Sequence, residues 1–110
     1  MTRQAFLGGF EQMVLAAVLR LRDGAYGSAV LSEIEARTGR RVSSGSLYVT
    51  LDRLERKGLI ETWLADPTPE RGGRPRRYVR VTREGLEAVG EAREAMLSLW
   101  TGIEHRMTGA

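Results

Sequence analysis

The residues best suited to chemistry in this sequence form a short arginine-rich segment bounded by glycine and proline. Its four arginines, Arg71, Arg74, Arg76 and Arg77, fall within seven residues. A guanidinium group pairs well with phosphate, and arginine side chains also enter narrow minor grooves. Glycine and proline at this spacing favour a turn. We therefore expect a loop that contacts a nucleic-acid backbone; the alternative is a solvated loop without a partner, or one ordered only on DNA.

A helix with two different faces is predicted just before this loop, over residues 43–57. Leu47, Leu51 and Leu54 are spaced to face a core, which leaves the opposite face exposed. The positions on or beside that face, or at the helix start, that suit phosphates or base edges are Ser44, Ser46, Tyr48, Thr50 and Arg53. In the alternative interpretation, Tyr48 is partly core and the arginines only solvate the surface.

Two more helices are predicted upstream, where apolar residues repeat at helical intervals over residues 10–21 and 26–38. Gly39 and Gly58 are placed to end the second and third helices in a left-handed conformation. The second and third helices are therefore joined by only a few residues, as a helix-turn-helix requires.

The arginine loop lies between two short β-rich segments, residues 59–64 and 77–81, which are predicted to pair as a hairpin. The predicted fold class is accordingly mainly α with a small β-hairpin. It consists of a winged helix-turn-helix, residues 1–81, and a C-terminal dimerisation helix, residues 82–110, together one compact unit.

The last predicted helix carries an apolar seam with steps of three and four residues, broken once by Arg93. The apolar members of the seam, taken as dimerisation residues, are Leu86, Val89, Met96, Trp100, Ile103 and Met107. A domain this small cannot bury the whole stripe, and we therefore expect a homodimer. Its two third helices, the predicted DNA-reading helices, would lie about 34 Å apart on a pseudo-palindromic site. The alternative is packing against the first helix, and a second stripe at Ala88, Ala92, Ala95 and Leu99 allows both.

Trp100 is the residue of this helix most suggestive of a ligand. A tryptophan at a dimer seam could form the base of a cavity for a small aromatic ligand, with Met96 beside it. The alternative is that Trp100 serves packing alone.

Composition restricts the function classes. The net charge is +3, but residues 37–83 hold twelve Arg or Lys against five Asp or Glu, which leaves the remainder at −4. Such segregation suits one half that binds a polyanion. Cysteine is absent and no apolar run approaches a membrane span, so we expect a cytoplasmic protein without membrane contact. We expect no catalytic residue, metal or cofactor, because His105 stands alone and no nucleotide-binding motif is present.

Several segments together resemble the PadR family of bacterial transcriptional regulators. The opening helix "LGGFEQMVLAAVLRL", the second helix "AYGSAVLSEIEARTG", the third helix "VSSGSLYVTLDRLERKGLIE" and the wing "GGRPRRYVRVTREG" are each similar to the family pattern. Val49 departs from it, since the family often has proline or another residue after the tyrosine. The single C-terminal helix is typical of the short subgroup.

The resemblance implies a homodimeric repressor that binds promoter DNA and releases it when a small hydrophobic or phenolic compound reaches the dimer. The DNA-contacting positions that it implies are Ser46, Tyr48, Thr50, Arg53, Arg74 and Arg76, with Trp100 for the ligand. Two alternatives stay open: a winged-helix module that binds protein instead of DNA, and, least favoured, an enzyme.

Overall fold

The computed structural model describes residues 7–65 and 75–108. The chain forms helices α1 (Gly9–Leu21), α2 (Gly27–Thr38), α3 (Ser44–Arg56) and α4 (Arg83–Trp100). Strands β1 (Ile60–Leu64) and β2 (Arg77–Val81) lie between α3 and α4 and pair antiparallel. The predicted fold class is confirmed, with the bounds of the first three helices and both strands within about two residues. None of the helices in the described ranges is long and apolar enough to cross a membrane.

Helix α1 is the central element, since it packs against α2, α3, α4 and β2. The largest fully buried side chains are Val14, Leu15, Val30, Leu47, Leu51, Leu54, Leu59 and Ile60. The three leucines that the sequence assigned to the core are thus completely buried. Removing this apolar surface from water is the main stabilisation of the fold and holds α3 by one face.

Helix α3 begins and ends where the sequence predicts. The Ser43 hydroxyl accepts a hydrogen bond from the Ser46 amide at 3.1 Å, which caps the first turn. At the other end Gly58 has φ 77°, and the Leu59 amide donates to the Leu54 carbonyl at 3.0 Å. This is a Schellman closure, which glycine permits without strain. It turns the chain directly from α3 into β1.

The hairpin is attached to the helical core as well as to itself. Ile60 lies opposite Val81 and Leu64 opposite Arg77. On its other edge, β2 is bonded to the turn before α2, since the Val79 amide donates to the Ala25 carbonyl at 2.9 Å. The base of the wing is therefore fixed relative to α2 and α3.

Helix α4 is shorter than predicted. Its seam was expected to continue through Ile103 and Met107, but the α-helix ends at Trp100, and a separate 3-10 turn covers Glu104–Met107. The break is local: the backbone leaves the helix at Thr101, with ψ 124°, and Gly102 follows with φ 93°, which glycine adopts readily. The prediction of a single helix carrying all seven seam positions is wrong.

Candidate nucleic-acid interface

The start of α3 presents small polar groups to solvent. Ser44, Gly45 and Ser46 are all exposed. The amides of a first helical turn lack intrahelical acceptors and point along the axis, where they can bind phosphate. Ser44 and Ser46 are therefore exposed, as a phosphate contact would require, although the Ser46 amide already donates to the Ser43 hydroxyl.

Tyr48 lies at the edge of this surface and is 37% exposed. Its ring crosses the first residue of α2, because a β-carbon built on Gly27 would overlap the Tyr48 hydroxyl and come 3.0 Å from Cζ. The Arg77 guanidinium lies 5.8 Å from the centroid of the same ring. Tyr48 is thus packed against α2 at its hydroxyl end while part of the residue stays exposed to solvent.

Thr50 is buried, with only 3% of its surface exposed, so its assignment to the open face is wrong. Positions 47, 50, 51 and 54 are related by i, i+3, i+4 and i+7, which places all four on one helix face. Thr50 therefore belongs with the core leucines, and its hydroxyl faces Arg53, whose Nη2 is 3.5 Å away.

Arg53 is partly exposed but already holds a partner within the chain. Its Nε donates to Glu11 Oε2 at 2.9 Å, and Lys57 Nζ donates to the same oxygen at 2.9 Å. Glu11 is 5% exposed and also accepts from the Gly8 amide at 2.8 Å. Burial raises the pKa of Glu11, but the hydrogen bonds from Gly8, Arg53 and Lys57 outweigh it and bring the pKa to about 2.

Arg77 connects the base of the wing to α3. One of its terminal nitrogens donates to Asp52 Oδ1 at 3.0 Å and to Glu55 Oε1 at 3.3 Å. Its side chain is only 20% exposed. Two carboxylates thus already hold Arg77, which was predicted to contact DNA, and its position is that of a clamp between hairpin and helix.

Arg76 is held differently from Arg77. Arg76 lies over the ring of Tyr26, 3.9 Å from its centroid, in a cation–π contact. The ring centroids of Tyr26 and Tyr78 lie 5.5 Å apart, and the Trp63 ring stacks on that of Tyr78 with a centroid distance of 5.9 Å. Trp63 thus supports the hairpin rather than the core. Arg71 and Arg74 lie outside the described residues.

The two predicted ligand residues, Met96 and Trp100, come together in a groove between α1 and α4. Its volume is about 530 Å³, and its larger apolar lining residues are Met13, Leu19, Val89, Met96, Leu97 and Trp100. Val89 also packs on the core, together with Ala88 and Ala92. The predicted seam therefore faces α1 over part of its length.

Sequence reasoning missed the acidic residues that organise this surface: Glu11, Asp52 and Glu55. One signal was present for Glu11, which shares the helix face of Val14, Leu15 and Val18 and is thus a charge on a buried stripe. Across residues 7–65 and 75–108, no group of three His, Cys, Asp or Glu side chains could hold a metal ion.

Comparison with known proteins places the chain among transcriptional regulators. Residues 14–91 match the Transcriptional regulator PadR-like family. A Mycobacterium tuberculosis protein named transcriptional regulator Rv3488 is 42% identical over 73 residues, which are 64% of this chain and 63% of that protein. The chain thus matches less than two-thirds of that relative's length.

Two solved structures extend the likeness to the fold. A PadR-like transcriptional regulator from Bacillus cereus gives a TM-score of 0.72 at 25% identity, covering 92% of this chain and 93% of the other. A PadR family regulator from Eggerthella lenta gives 0.68 at 29% identity, with coverages of 87% and 81%. Regulators of this kind are not enzymes, in agreement with the expectation from sequence. The chain belongs to the PadR-like family of transcriptional regulators.

Proposed function

We propose that the chain is a DNA-binding repressor that acts as a homodimer on a pseudo-palindromic operator and is released by a small hydrophobic or phenolic ligand. The observation that carries the DNA-binding part is the exposed, hydroxyl-bearing start of α3, in a helix that Arg77 ties to the base of the wing. An α-helix fits the major groove, and a hairpin beside it reaches the flanking backbone.

The side chains divide into contacts and supports in this proposal. Ser44 and Ser46 approach phosphates, Tyr48 offers the exposed part of its side chain, and Arg74 and Arg76 neutralise phosphates or enter the minor groove. Arg77 positions the hairpin. Such an activity requires access to the chromosome, which in a bacterial cell means the cytoplasm.

Self-association is supported by the apolar surface left on the C-terminal part of the chain. Leu86, Met96, Trp100, Ile103 and Met107 are between 38% and 54% exposed, and Leu99 is 73% exposed. Clustered exposed apolar side chains are typical of an interaction surface. A second copy, related by a two-fold axis, would cover it and set the spacing of the two α3 helices.

Ligand release is supported by the groove between α1 and α4. A volume of about 530 Å³ lies within the range of pockets that bind small organic molecules. A compound seated on Trp100 would favour whichever arrangement of α1 and α4 it binds better, and so shift the spacing of the reading helices.

The decisive experiment is a titration of duplexes from the region upstream of the protein's own gene, monitored by fluorescence anisotropy at two salt concentrations and combined with nuclease footprinting. We expect sequence-selective binding that weakens steeply with salt, and footprints on two half-sites about one helical turn apart. Failure to bind any duplex at low salt would favour the protein-interaction module instead.

A further inference from the structure

The buried carboxylate of Glu11 has no place in the contacts proposed above, yet it binds α3 directly. Arg53, in the last turn of α3, and Lys57, the residue that caps its C-terminal end, both donate to Glu11 Oε2 at 2.9 Å. A single carboxylate oxygen thus pairs with two cationic side chains at the C-terminal end of the helix proposed to read DNA. The partners lie 42 and 46 residues from Glu11 along the chain, so the contact is a tertiary one.

The first consequence concerns the orientation of Arg53. Its Nε is held by Glu11 and its Nη2 lies 3.5 Å from the Thr50 hydroxyl, while 43% of the side chain stays exposed. A guanidinium held along one edge presents its remaining donors in one direction. Swinging the group toward a phosphate would break an ion pair with a carboxylate that is only 6% exposed, which is unfavourable.

The second consequence concerns Lys57. Its side chain is 35% exposed, so the ammonium is within reach of solvent but remains paired. An unpaired lysine at the end of this helix would be a flexible point charge, able to meet the phosphates of any sequence. Pairing with Glu11 reduces that sequence-independent attraction.

We propose that Glu11 is a positioning residue for sequence discrimination, which fixes Arg53 in one orientation and withholds Lys57 from DNA phosphates. The inference rests on the proposed DNA-binding function of α3. Discrimination is a difference of affinities, so it improves both when a selective contact is rigid and when a non-selective one is removed. Glu11 does both through a single oxygen atom.

The test compares wild type with Glu11→Gln on two duplexes, one from the chain's own upstream region and one of the same composition in scrambled order. Without the carboxylate, Lys57 becomes free to meet phosphate, so the scrambled duplex should bind about threefold tighter or more, and its slope of log K against log salt should steepen by about one unit. The ratio of the two affinities should fall about tenfold.

Two control variants separate this effect from general electrostatics. Glu33→Gln makes the same change of net charge and also neutralises a carboxylate that accepts hydrogen bonds from Arg20 and Arg37, but it lies on α2 and pairs with neither Arg53 nor Lys57. It should leave the salt slope and the affinity ratio as in wild type. Adding Lys57→Met to Glu11→Gln should restore the wild-type slope while discrimination stays low.

The outcomes are distinct. An unchanged slope and ratio in Glu11→Gln, with wild type binding selectively, would overturn the inference and leave the proposed function standing. Wild type that binds neither duplex would overturn both. Should Glu11→Gln be too unstable to assay, the Arg53 Nε–H resonance of wild-type protein gives the answer: we expect slow exchange and a rigid order parameter, and a mobile, fast-exchanging group would refute the positioning role.

Discussion

Gly85, in the first turn of α4, lies directly against the backbone carbonyl of Leu59. A β-carbon built on Gly85 would overlap the Leu59 oxygen and crowd Val81 Cγ1 at 2.7 Å. Thr82 also connects the start of α4 to the end of α3, since its hydroxyl donates to the Gly58 carbonyl at 2.7 Å and accepts from the Gly85 amide at 3.0 Å. The angle between α4 and the end of α3 is therefore set by backbone contact.

Gly85→Ala should accordingly destabilise the fold, because the obstructing atom belongs to the backbone and cannot rotate away. We expect a loss of about 1–3 kcal/mol in the free energy of unfolding, measured by urea denaturation. Gly90→Ala is the matched control on the same helix: its added methyl group meets open space, so it should gain about 0.5–1 kcal/mol. Equal stability of the two variants would show that α4 can shift on α3.

Local patterns were enough to predict most of the fold. The left-handed glycines at positions 39 and 58 depend only on neighbouring residues, and the structure has both. Thr50 was assigned to the wrong face because only Leu47, Leu51 and Leu54 were taken as buried, whereas the helical repeat also places position 50 on that face.

The contacts of the candidate site were harder to predict, because they join residues far apart in the chain. Arg77 meets Asp52 across 25 residues, and Arg53 meets Glu11 across 42. A sequence pattern indicates that an arginine could contact DNA. Only the packing of α1, α3 and β2 determines whether that arginine is already paired with a carboxylate.

Substitutions of the two serines at the start of α3 should have different effects, one on the stability of the fold and the other on DNA binding. Ser43→Ala removes the cap and should lower the free energy of unfolding by about 1 kcal/mol, as measured in urea. Ser44→Ala should leave stability within about 0.5 kcal/mol and weaken DNA binding, because Ser44 is exposed and proposed to meet a phosphate. If Ser44→Ala binds as wild type does, Ser44 is not a DNA contact.

The arginines of the wing should fall into two classes. Combined Arg74→Ala and Arg76→Ala should weaken binding to all sequences and reduce the steepness of the salt dependence by about one unit per lost phosphate contact. Arg77→Ala should instead lower stability by about 1 kcal/mol or less through loss of the Asp52 and Glu55 pairs, with the salt slope kept. A reduced slope in Arg77→Ala would return that residue to the DNA contacts.

The pH dependence of stability should reveal Glu11. Its pKa is about 2 in the folded chain against 4.5 ordinarily, so the ionised form stabilises the fold at pH values above 4.5, and this contribution is lost as the pH falls toward 2. The shift corresponds to about 3 kcal/mol at neutral pH. Urea titrations should show wild type more stable than Glu11→Gln at pH 7 and a gap that narrows steadily below pH 4.5. A gap independent of pH would mean that the charge of Glu11 is not the stabilising feature.

The proposed dimer can be tested on the exposed side of α4. Trp100→Lys places a charge in the groove region where Met96 and Trp100 lie together, and burying an unpaired charge in an apolar interface is strongly unfavourable. Sedimentation should show the dimer dissociation constant raised at least about a hundredfold. Because Trp100 is 38% exposed at the last turn of α4, the monomer fold should survive, which circular dichroism can verify.

Glu94→Lys, on the same helix and 76% exposed, reverses a charge outside the groove and should leave the dimer intact. Operator binding should fall together with dimerisation in Trp100→Lys, since one reading helix alone loses the second half-site. A Trp100→Lys protein that remains dimeric would move the interface away from this face, to the apolar surface around Leu99 on the other stripe of α4.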